Sequence, residues 1–116
     1  MNPSVQLQTL LSAAGEDAER RLTIFALLNL GIIESLANGL LSATDAVRLF
    51  YHAENCSYAH TDLKEKIANQ IMGRGVQLPD LFDCLPTGEA QREFQRELAS
   101  MRSLCLRLIE KERLVA

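Results

Sequence analysis

Apolar residues recur along this chain at helical spacing, and they are densest between Leu22 and Leu41, LTIFALLNLGIIESLANGLL, a twenty-residue stretch with one formal charge, Glu34. On a helical wheel Leu22, Phe25, Ile32, Ile33 and Leu36 share one face. Leu27 and Leu30 fall on the opposite side, where Glu16, Arg20 and Thr23 continue the surface. A helix apolar nearly all round is buried on most of its sides. The uninterrupted apolar run, Leu22 to Ile33, is shorter than the roughly 20 residues that a bilayer core requires, and Arg20-Arg21 and Asn38-Gly39 flank it, so it reads as a central core helix and not as a membrane span.

Other elements are punctuated around it. Asn2-Pro3 resembles an N-cap with proline at the first helical position, opening a short helix that buries Val5, Leu7, Leu10 and Leu11 and stops near Gly15. Asn38-Gly39 closes the central helix. Ser42-Ala43-Thr44-Asp45 caps a third helix, from Ala43 to about Tyr51. The polar stretch His52 to His60, HAENCSYAH, reads as the main irregular loop, after which Thr61-Asp62 opens a helix through about Met72 that Gly73-Arg74-Gly75 ends. A short turn, LPDLFDCL, follows and is closed by Pro86-Thr87-Gly88. The last helix runs from about Gly88 to Leu114, with acids early and Arg107, Lys111 and Arg113 late, matching the helix dipole. Its apolar stripe includes Phe94, Leu98, Met101 and Leu108. The expectation is an all-α, compact bundle of five to six helices around a central apolar helix.

Composition narrows this further. With 116 residues, 47% of them hydrophobic, the chain is long enough for one sizeable core and too short for two ordinary domains, so residues 1–116 form a single helical domain. A net charge of −3 and the lack of any Lys/Arg run remove the main driving term for nucleic-acid binding. The junction before the third helix resembles a helix-turn-helix, but that helix has Arg48 as its one cation and carries Asp45, which does not suit base reading. Nothing in the N-terminal sequence reads as a leader, and three cysteines, Cys56, Cys84 and Cys105, without a C-x-x-C pair point to reduced thiols and a cytoplasmic protein.

The phrase LLNLGIIESLANGLLSATDAVRLFY, followed by IMGRGVQLPDLFDCLP, resembles a small, uncharacterised bacterial family of helical proteins, a domain of unknown function. The resemblance spans roughly Leu22 to Pro86 and rests on helix punctuation: a glycine turn, a Ser-capped helix and an acidic Leu-rich turn closed by proline. It implies a bacterial cytosolic helical domain and brings no catalytic residue, substrate or cofactor.

Several constellations could carry chemistry. His52, Cys56 and His60 form H-x3-C-x3-H, which helical geometry would place on one face as three zinc ligands lacking an evident fourth; a polar surface loop explains the same residues. Cys56 beside a histidine could begin a nucleophile-base pair, although no third member is evident, and Cys84 and Cys105 sit in apolar surroundings that favour inert burial. Asp80 and Asp83 could act as paired carboxylates beside Arg74, or simply solvate a helix start. Asn29 falls on the most apolar face of the central helix, where an unpaired amide costs roughly 1–3 kcal/mol, so it requires a partner: a loop carbonyl, the Asn29 of a second copy, or a ligand. Gly31, mid-helix at a cost of about 1 kcal/mol, suits the close passage of another backbone, or is drift at a tolerant position.

These readings favour a non-enzymatic helical module for protein-protein interaction, associating as a homodimer or with another protein, without nucleic acid, membrane or cofactor. Phe94, Leu98, Met101 and Leu108 are its candidate interface unless the chain's own core absorbs them. The alternative is a zinc-binding protein using His52, Cys56 and His60.

Overall fold

The computed structural model describes residues 4–113, with side chains as far as Lys111. Among these residues the architecture is entirely helical: α1 (Leu7–Ser12), α2 (Ala18–Ala37), α3 (Ala43–Leu49), α4 (Ala53–Tyr58) running into a π-helical turn (Ala59–Leu63), α5 (Lys66–Cys84) and α6 (Thr87–Arg113). The expected cap at Asn2-Pro3 and the expected last helical residue, Leu114, lie outside the described residues. The all-α bundle is as expected, and its central element is α2, which packs against α1, α3, α5 and most extensively α6; α5 lies along the other side of α6.

Local chemistry sets the element ends. Asp17 accepts hydrogen bonds from the Glu19 and Arg20 amides and so starts α2. The Gly39 left-handed φ of +73° turns the chain out of it. The Ser42 hydroxyl accepts from the Asp45 amide at 3.0 Å and starts α3, as expected from its capping pattern. α1 is different. Gln6 gives it no side-chain cap, and its first amide, Leu7 N–H, donates instead to Asn55 Oδ1 at 3.0 Å, across 48 residues of sequence.

Two expectations are corrected. The stretch from His52 to His60 is not an irregular loop: residues 53–58 are α-helical and the π-helical turn follows. Its polarity is misleading because the buried members are Asn55, Tyr58 and Ala59, which carry little apolar signal. The Asn55 amide donates to the Val5 and Phe50 carbonyls at 2.9 and 2.7 Å while accepting from Leu7, so its polar groups are satisfied inside. Thr61 and Asp62 fall in the π-helical turn; the break comes at Lys64, φ +52°, and α5 starts at Lys66 after a Glu65 cap that accepts from the Ile67 amide.

The second correction concerns Gly73-Arg74-Gly75, which does not end a helix: α5 continues through it and through Pro79 to Cys84, absorbing the expected LPDLFDCL turn. Gly75 is there for space. A Cβ on it would stand 2.4 Å from a ring carbon of buried Tyr51, so the helix runs over the face of that ring only because the position has no side chain.

Candidate functional site: an apolar groove on the central helix

α2 has more apolar surface than its neighbours cover. One face carries Leu22, Phe25, Ala26, Asn29, Ile33 and Leu36 into the core. On the other flank Leu28, Gly31, Ile32 and Ser35 follow one another at helical spacing and form the floor of an open groove of about 310 Å³. Leu10 of α1 makes one wall, and Leu40 and Leu41, in the turn before α3, make the other. The Ser35 hydroxyl donates back to the Gly31 carbonyl at 2.9 Å, so the floor has no free polar donor. No residue lining the groove is charged. Leu40 is 80% exposed, and Leu27, 56% exposed, extends the apolar surface of α2.

Gly31 is the low point of this floor, and a Cβ built on it would meet nothing within 4 Å. Among the described residues no backbone passes there, which corrects the expectation that a neighbouring element needs the space; the glycine that accommodates a neighbour is Gly75. The signal for the groove was present in Leu40-Leu41: two leucines beside a glycine turn have no helical face to pack with. The contributions of Leu10 and Leu28 depend on how α1 docks and could not be read from spacing.

The inner face of α2 is closed. Asn29 is fully buried, its amide donating to the Phe25 carbonyl and its Oδ1 accepting from the Tyr51 hydroxyl, each at 3.0 Å. Its partners are thus its own helix and a tyrosine, in place of the loop carbonyl, symmetry mate or ligand considered above. Burial pushes the Tyr51 phenol far above its ordinary range, with Cys105 and Cys56 adding to the effect, so it stays protonated and donates.

The structure does not bring His52, Cys56 and His60 together into one cluster. Among the described residues no three His, Cys, Asp or Glu side chains converge as a metal site would require. His52 Nε2 lies 2.9 Å from the Val5 carbonyl, which can only accept, so Nε2 carries the proton and is engaged in holding the N-terminal segment. Cys56 is half-buried with its thiol directed at the Tyr51 carbonyl at 3.8 Å. His60 is exposed and borders a shallow recess with Lys64 and Lys66. The π-helical turn that begins at Ala59 is wound more widely than an α-helix, so the i, i+4, i+8 spacing that would align the three does not hold through His60.

The thiols likewise fall short of a catalytic arrangement. Burial raises Cys56 above the usual thiol range and pushes Cys105 up to about 12, which keeps both from ionising at neutral pH. Cys84 is exposed at the end of α5, contrary to its expected burial. Arg74, expected beside Asp80 and Asp83, pairs instead with Glu97 of α6 at 2.6 Å. Phe94, Leu98, Met101 and Leu108 are all within 6% of full burial and belong to the core formed with α2 and α5, so the α6 stripe is absorbed by the chain itself and is not a free interface.

Compared with models of known protein families, with curated proteins and with solved structures, the chain matches none. The family resemblance drawn from its helix punctuation therefore adds nothing to the geometry.

Proposed function

We propose that this protein is a non-enzymatic, cytosolic interaction module that self-associates as a homodimer through the groove on α2. The observation that carries this reading is the uncovered flank of the central helix, where an apolar floor lies between the leucines of α1 and of the α2–α3 turn. A second copy suits it for two reasons. The patch contains both a hollow at Gly31 and a ridge at the exposed Leu40, the self-complementarity that a twofold interface needs. It also has no charged lining, so two chains of the same net charge can meet there without bringing like charges together. The three unpaired cysteines support a reducing compartment.

The test needs no ligand: sedimentation equilibrium of the protein from low micromolar to about 0.5 mM, a range spanning affinities from tight to marginal. A concentration-dependent dimer is expected, abolished by Leu40→Glu and weakened by Gly31→Leu, while circular dichroism of both variants stays helical, since Leu40 is at the surface and Gly31 faces open space. A strict monomer throughout, or a dimer indifferent to both substitutions, would remove this reading.

A further inference from the structure

A second, larger hollow lies where the end of α2, the start of α3, the end of α5 and the first half of α6 meet. It is an open cleft of about 500 Å³, in the size range of small-molecule sites, and its lining differs from that of the α2 groove. One side is apolar: Leu36 from α2, Pro79 and Phe82 from α5, and Phe94 from α6. Phe82 and Phe94 stand edge to face, with ring centroids 5.1 Å apart and an interplanar angle of 62°. The other side is polar and rich in acceptors. Asp83 comes from the last turn of α5, Gln91 and Gln95 are one turn apart on α6, and Ser42 and Thr44 flank the start of α3.

The formal charge in this cleft has one sign. Asp83 is the sole ionisable side chain among its lining residues, and it forms no ion pair among the described residues. It also sits at the carbonyl end of α5, a helix of 19 residues whose last turn contains no basic residue, so the partial negative charge of the helix terminus adds to that of the carboxylate. At the opposite edge, the free amide of Asp45 on α3 is already taken by the Ser42 hydroxyl, which leaves that donor unavailable to an anion. Carboxylate, carboxamide and hydroxyl oxygens are the acceptors that an ammonium group uses, and phenyl faces beside them attract a cation and receive an apolar arm.

We infer that this cleft binds a primary amine carried on a hydrophobic arm, with the ammonium at Asp83, Gln91 and Gln95 and the arm against Phe82, Phe94 and Leu36. The site adjoins the self-association groove, with Leu41 lining both, but its recognition of an amine rests on residues the groove does not use. It assigns Asp83 to charge recognition and gives a role to Phe82, which is 40% exposed and otherwise an unexplained aromatic at the surface.

The experiment is a titration of the ¹⁵N-labelled protein followed by amide chemical shifts, with 2-phenylethylamine as probe, 2-phenylethanol as its neutral isostere and phenylacetate as an anion. Saturable shifts are expected at Thr44, Phe82 and Gln95, with the amine binding about fivefold more tightly than the alcohol, the preference that a partly exposed charge pair supplies. Phenylacetate should bind more weakly than either. Asp83→Asn, at an exposed position, should erase the difference between amine and alcohol, and Phe82→Ala should weaken both alike. The inference is overturned if the amine gives no saturable shift up to about 10 mM, a limit well past millimolar affinity. It is equally overturned if phenylacetate matches the amine, or if Asp83→Asn leaves the preference intact.

Discussion

Gly75 and Gly31 both sit within long helices, and they occupy opposite situations. Gly75 on α5 faces the ring of Tyr51 so closely that the next larger side chain has no room, whereas Gly31 on α2 faces open space. Around the first, everything is closed: Tyr51 is 1% exposed, it donates to buried Asn29, and the two join α2 to the segment preceding α4 beneath α5. Around the second, apolar side chains from α1, α2 and the α2–α3 turn surround a hollow that the described residues leave uncovered. A glycine within a helix therefore marks close packing in one place and a vacant seat in the other. Only the three-dimensional neighbourhood distinguishes them.

Three substitutions sharpen that contrast. Gly75→Ala should have the largest effect: its Cβ would overlap ring carbons close to the Tyr51 backbone, which cannot swing aside, and a loss of roughly 3 kcal/mol is expected, at the upper end for overpacking. Chemical denaturation would register it as a lower midpoint; a variant as stable as the parent would mean that Gly75 is not there for Tyr51. Tyr51→Phe keeps the ring but removes the donor to Asn29 Oδ1, leaving a buried acceptor without its partner, and should cost about 1–2 kcal/mol. An unchanged midpoint would show that Asn29 is satisfied without the hydroxyl. Gly31→Ala should have the smallest effect and the opposite sign, raising monomer stability by about 0.5–1 kcal/mol because helix propensity improves and nothing is displaced. Measured at a concentration where the protein is monomeric, a destabilised Gly31→Ala would show that some part of the chain does occupy that space.

The features that were legible in the sequence are those fixed by local rules. The core face of α2 through Leu22, Phe25, Ile33 and Leu36, the left-handed Gly39 turn and the Ser42 cap of α3 each follow from spacing or from one hydrogen bond between near neighbours, and the structure places them as expected; Ile32, expected on that face, lies in the floor of the groove instead. The α6 stripe was also legible as a stripe, but whether it faced the core or a partner depended on α2 and α5 reaching it. What escaped was non-local. Polar residues between His52 and His60 read as loop because the burial of Asn55 depends on bonds to Val5, Leu7 and Phe50, the first two of which lie 50 and 48 residues away in sequence. Gly73-Arg74-Gly75 read as a helix end because the Tyr51 ring that explains Gly75 is 24 residues earlier. The candidate groove was half legible: the surplus of apolar positions on α2 was plain, and which flank would remain uncovered was not.

Asn55 has one further consequence, for the order in which the molecule assembles. α1 has six residues and no cap of its own, and the segment leading into it is held by groups from far along the chain: Val5 by Leu49, His52 and Asn55, and Leu7 by Asn55. A helix that short does not persist alone in water. Its order therefore depends on the docking of α4, and α1 is the element whose amides should exchange with solvent first when the native molecule opens locally. Since Leu10 forms a wall of the groove on α2, that early opening and the shape of the groove are one event.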